Sequence, residues 1–150
     1  MKKKLRKNFF CCGIIPPEMK ALNQFLHSIG YPASASQDVR EFILNVDGNE
    51  MRAADAGAYL VLMKEISRSA DILPQLSRFA AGRFICEDEI LYWDARLMAA
   101  VLSRKIPVTA SDCEMRDAFE SFANSCDWWD DRVNGSAVAP ANFPEMVILP

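Results

Sequence analysis

The chain has 150 residues, about half of them apolar and a quarter charged, with a formal net charge of −3. That fits one globular domain able to bury roughly 70% of its unfolded surface, and no apolar run reaches the ~20 residues that a membrane-spanning helix needs. Charge is unevenly placed: residues 1–7 carry five bases and no acid, 8–85 seven bases and eight acids, and 86–150 five bases and twelve acids, so the C-terminal half repels nucleic acid and anionic lipid and favours a basic protein partner.

The opening Lys2-Lys3-Lys4-Leu5-Arg6-Lys7, followed by Phe9, Phe10, Cys11, Cys12, Gly13, Ile14 and Ile15, begins like a secretory signal. Pro16-Pro17 interrupts the short apolar run without the small-x-small pattern of a cleavage site. Bulky Phe9 and Phe10 before Cys11 also do not suit a lipoprotein signal. The expectation is a cytoplasmic protein with a basic, mobile arm over residues 1–15 and a single helical domain over residues 16–150. The five cysteines, Cys11, Cys12, Cys86, Cys113 and Cys126, show no C-x-x-C or Cys/His ligand spacing and read as reduced thiols.

Pro17 suits the first turn of a helix in which Met19, Leu22, Phe25, Leu26 and Ile29 recur at helical spacing before Gly30 stops it. His27, the single histidine, falls on the opposite face and reads as a surface residue. A linker follows, with Ser36 as an N-cap. Val39, Phe42, Ile43 and Val46 then share a helical face, whereas strand alternation would set Glu41 beside Val39 and Ile43. A second helix is therefore preferred, with a hairpin around Asp47-Gly48 as the alternative.

The most apolar stretch, Arg52 to Ile66 with Ala58-Tyr59-Leu60-Val61-Leu62-Met63 at its heart, predicts a central buried helix over about 50–68, apolar around more than half its circumference. That surface cannot serve as a DNA-reading helix, which needs exposed basic and amide side chains. Asp47-Gly48-Asn49 lacks the recurring carboxylates of a calcium loop. Ile72, Leu73, Leu76, Phe79 and Ala80 predict a short fourth helix ending at Gly82. Glu87-Asp88-Glu89 would open a fifth, where the helix dipole favours acids without any metal.

Within that fifth helix Asp94 would project among Ile90, Leu91, Leu97 and Met98, and Asp55 would lie near Tyr59, Leu62 and Ile66 on the central one. Two buried carboxylates can act as an acid/base pair. They more often bond a neighbouring arginine, hydroxyl or helix end, and no nucleophile, phosphate loop or metal-ligand spacing accompanies them. No catalytic residue, metal or cofactor is expected, and the balance leans away from an enzyme.

The last helix is predicted from Asp112 to Val133, with Ser111 and Glu114 as a capping box and Met115, Ala118, Phe119, Phe122, Ala123, Cys126, Trp129 and Val133 as its apolar stripe. Its other side gathers Asp117, Glu120, Asp127, Asp130 and Asp131 around Trp128, which resembles an interface anchor with a charged rim. The tail's Phe143, Met146, Val147, Ile148 and Leu149 are the competing cover for Trp128, and Pro140 and Pro144 favour an extended tail.

The expected fold is all-α: one compact domain of five to six helices around the 50–68 helix, with a short C-terminal extended segment. The expected function is protein binding. In size and acidity the chain resembles bacterial immunity proteins, which neutralise a basic toxin such as a nuclease. The alternatives are a small enzyme using Asp55 and Asp94, and an adaptor or phage-type accessory protein.

Overall fold

The apolar stretch does lie at the centre of the molecule, but as strands. The computed structural model describes residues 21–32, 40–83 and 88–135. Among them, helix α1 (Ala21–Ser28) precedes strands β1 (Glu41–Val46), β2 (Asn49–Asp55) and β3 (Tyr59–Ser67). A 3-10 turn over Ala70–Ile72 leads into α2 (Leu73–Arg83), then β4 (Glu89–Asp94), β5 (Ala99–Pro107) and the long α3 (Asp112–Gly135). The five strands form one antiparallel sheet in the order β1-β2-β3-β5-β4. This overturns the all-α expectation. The basic arm, the linker around Ser36, Cys86 with Glu87, and the C-terminal tail lie outside the described residues.

The predicted central helix is a hairpin of β2 and β3. A continuous apolar run satisfies a buried strand as well as a buried helix, and here alternation decides. Leu60, Leu62, Lys64 and Ile66 are buried on one face of β3, while Tyr59, Val61, Met63 and Glu65 are more accessible on the other. Gly57 sits at φ +84° in the connecting turn, a conformation that breaks a helix and suits glycine. Its N–H donates to Asp55 Oδ1 at 2.9 Å.

The second predicted helix is likewise β1, and the Asp-Gly hairpin is the form the chain takes. Asp47 and Gly48 both have positive φ, 51° and 85°, as a two-residue type I′ turn requires. They join Val46 to its partner Asn49. Glu41 shares a side with Ile43 and Asn45 because that side of β1 is exposed, while Leu44 points into the core. The predicted fifth helix is the β4–β5 hairpin.

The remaining helices form in the expected stretches, although α2 runs through Gly82, expected as its stop, to Arg83, and the expected start at Pro17 lies outside the described residues. α1 ends before Gly30, at φ +69°, and His27 is exposed. Leu76 and Ala80 on α2 are buried. The capping box of α3 is made: Ser111 N–H and Oγ both donate to Glu114 Oε2, at 2.7 and 2.8 Å, and Glu114 N–H returns to Ser111 Oγ at 3.4 Å.

α1 and α3 pack on the face of the sheet that carries Leu44, Met51, Leu60, Leu62, Leu102 and Ile106, and bury against it Leu22, Phe25, Leu26, Met115, Phe122 and Trp129. Burying each such side chain contributes about 2 kcal/mol. The two helices are also tied to one another: Phe25 meets Phe119 edge to face at 5.7 Å, Arg116 Nε donates to Ser28 O at 2.9 Å, and Gln24 Nε2 donates to Asp112 Oδ1 at 3.2 Å. Among the described residues no helix is long and apolar enough to cross a membrane.

Candidate protein-binding site

The opposite face of the sheet carries large apolar side chains that remain accessible. Ile43 is 55% exposed, Tyr59 45%, Ile90 52% and Tyr92 38%. Strand parity puts all four on one side, because their strand neighbours Leu44, Leu60 and Leu102's partner Leu91 face the helices. Leu97 and Met98 extend the apolar surface at the tip of the β4–β5 turn, where Met98 holds a positive φ of 50°. β1 and β4 are the sheet's edges among the described residues. An unpaired edge offers backbone donors and acceptors to another chain.

On the helical side, the predicted acidic cluster divides. Asp117, Glu120, Asp127 and Asp131 are exposed on α3, and Asp127 Oδ1 accepts from Asn49 Nδ2 at 3.1 Å. Asp130 turns inward instead, 3.0 Å from Lys64 Nζ, with Lys64 only 8% exposed. Lys64 also donates to Asn49 Oδ1 at 3.1 Å. Lys64 therefore reaches Asp130 from the sheet, and this pairing removes Asp130 from the exposed rim.

Trp128 is half-buried at the junction of α2 and α3. Phe79 of α2 meets its ring edge to face at 6.2 Å, Trp129 does so at 5.1 Å, and the Arg132 guanidinium lies 4.8 Å over it. Arg132 is also 5.8 Å over Phe79. Trp128 is therefore not the exposed anchor that helical periodicity implied but packs half-buried against the core, and periodicity did not anticipate that α2 supplies a second aromatic ring. Phe79 carried a detectable signal only as one apolar position of a short helix.

A second polar group anchors α3 to β5. Arg104, 13% exposed, donates to Ser121 Oγ at 2.8 Å and lies 3.7 Å from Glu89, which is 2% exposed. Asp88 adds a contact at 3.4 Å. Glu89, read from sequence as a helix-dipole acid, is therefore the buried partner of an arginine at the start of a strand. Cys126 lies beneath α3, where burial pushes its thiol well above the ordinary range.

Asp55 and Asp94 are not the buried pair that helical spacing implied. Both are half-buried and close turns: Asp94 Oδ1 accepts from the N–H of Arg96 at 2.8 Å and of Leu97 at 3.1 Å, as Asp55 does from Gly57. Asp55 pairs with Leu60, which stands opposite Ile106, and Asp94 pairs with Ala99. The strand rise puts Ala99 and Ile106 roughly 23 Å apart along β5, so the carboxylates occupy opposite ends of the sheet and cannot share a proton transfer. Among the described residues no group of three or more histidine, cysteine or acidic side chains is placed to hold a metal ion.

No family model matches the chain, and no curated protein is similar to it in sequence. Its fold is similar to that of solved structures. A chain of the HopA1–SchA chaperone–effector complex superposes with a TM-score of 0.61 at 15% identity, covering 74% of this chain and 91% of that one. A chain of the ExoT–SpcS complex from Pseudomonas aeruginosa gives 0.58 at 13% identity, covering 72% and 92%. A chain of the ExsC–ExsE complex gives 0.57 at 17% identity, covering 82% and 93%. At these identities the likeness establishes a shared fold.

Proposed function

We propose that this chain is a chaperone-type binding protein that holds a segment of a client protein, in the manner of the chaperones that escort type III secretion effectors, and that it does so in the cytoplasm. The observation that carries this reading is the shared fold with chains from three two-protein complexes, each covered over more than nine-tenths of its own length, one of them a chaperone with its effector. The accessible apolar face at Ile43, Tyr59, Ile90 and Tyr92 supports it, since exposed large apolar side chains gathered on one face mark a surface that a partner covers. A binding role is also consistent with the placement of Asp55 and Asp94 as turn residues.

The acidic side of α3 is the finer part of the proposal. Asp117, Glu120, Asp127 and Asp131 form a rim that steers a basic stretch of the client toward Trp128. Neutralisation of a toxin has only the acidic charge in its favour, and the fold adds no support for it.

The test is co-expression of the tagged chain with the proteins encoded beside it. The expected result is a soluble complex in which one segment of the client resists limited proteolysis only when this chain is bound. A client set that is equally soluble and equally protease-sensitive without the chain overturns the reading.

A further inference from the structure

We infer that the Phe79–Trp128 pair is a seat for an arginine or lysine side chain of the protein partner, and that Arg132 fills this seat while the chain is alone. The inference rests on the partner-binding reading above and gives it a recognition element. Two aromatic rings from different helices stand nearly perpendicular, at 84°, and both lie within 6 Å of one guanidinium. The negative faces of such rings attract a cation, more strongly once it is shielded from water. The intramolecular contact therefore demonstrates that the pair accepts this chemistry.

Arg132 is a replaceable occupant. It is exposed, so its contact is worth less than the same contact made beneath a docked partner. It stands four residues from Trp128, the spacing at which helix side chains meet without tertiary help.

The surroundings favour a basic visitor. Asp127 and Asp131 are exposed on either side of Trp128 in sequence, and α3 as a whole carries seven acids against two bases. An arginine or lysine arriving here meets a favourable field, whereas an acidic segment is repelled.

The probe is a capped Gly-Arg-Gly-Arg-Gly peptide, with lysine and citrulline versions beside it, titrated into the full chain. Binding is read from backbone amide resonances of residues 127–132 and from the Trp128 indole N–H. The arginine and lysine peptides should shift these resonances and the neutral citrulline peptide should not. Arg132→Gln should tighten arginine-peptide binding about fivefold, the equivalent of ~1 kcal/mol for a vacated cation–π contact.

That substitution also removes a repelling charge, so the deciding comparison is a cycle with Trp128→Leu. In the Trp128→Leu background, Arg132→Gln should tighten binding clearly less than in the native background, leaving only the contribution of the lost charge. Equal tightening in both backgrounds would mean charge alone, and unshifted resonances at millimolar peptide would mean that the ring pair takes no cation from a partner. Either result overturns the proposal. Phe79→Leu replaces Trp128→Leu in the cycle if circular dichroism shows the latter unfolded. Because the peptide is not the client, a failed co-purification and a failed titration are separate results, each bearing on its own claim.

Discussion

Replacing Lys64 by methionine tests how α3 is held to the sheet. Methionine keeps the unbranched bulk of lysine and removes its charge, so lost packing contributes little. The ammonium is 8% exposed, sits 3.0 Å from Asp130 Oδ2 and donates to Asn49 Oδ1 at 3.1 Å. Breaking a fully buried pair by removing one partner costs about 3–5 kcal/mol, but Asp130 is 25% exposed and keeps some contact with water. The expected loss therefore falls below that range, at about 2–3 kcal/mol, or a fall of roughly 5–10 °C in Tm for a domain of this size.

Urea unfolding followed by circular dichroism should show a lower midpoint with an unchanged slope, which assigns the effect to stability rather than to compactness. Lys64→Met combined with Asp130→Asn should recover to within about 1 kcal/mol of the native protein, because the uncompensated carboxylate is then gone. A native-like midpoint for Lys64→Met alone, or losses that simply add in the double variant, would refute the Lys64–Asp130 pair as a tie between α3 and the sheet.

Asp94→Ala should cost about 1 kcal/mol, the worth of its turn hydrogen bonds; a loss of several kcal/mol on urea unfolding would mean that it is a buried charge after all. Glu114 is held below the ordinary carboxylate range, first by the Ser111 N–H and then by the Ser111 hydroxyl. A carboxylate whose folded pKa is depressed stabilises above its unfolded value of about 4.3 and loses that contribution as pH falls through the folded one. Glu114→Gln should therefore lower the urea midpoint near neutrality and match the native protein well below the carboxylate range, and a difference independent of pH would contradict the capping box. Brief N-ethylmaleimide treatment with peptide mass mapping should label exposed Cys113 and spare Cys126, whose thiol is buried and pushed upward; equal labelling would refute the packing of α3.

Elements whose stability is written in local spacing were legible in the sequence. Ser111 with Glu114, and the stripe from Met115 to Trp129, define α3 because capping and a 3.6-residue period are properties of one segment. Gly30 likewise marks the end of α1. The exposed acids Asp117, Glu120, Asp127 and Asp131 follow from the same period.

The sheet was not legible in that way, because a strand obtains its hydrogen bonds from another part of the chain. The Ala58–Met63 run is apolar on both faces and fits either period, and only pairing of Leu60 with Ile106 and Leu62 with Arg104 makes it the middle of a sheet. The same pairing moved Asp55 and Asp94 to opposite ends of the sheet. It also brought Lys64 beneath Asp130 and, through the packing of α2, Phe79 beside Trp128. Those contacts join residues far apart in sequence, and only the tertiary fold, by setting which strand lies beside which and which helix crosses them, brings such residues within bonding distance.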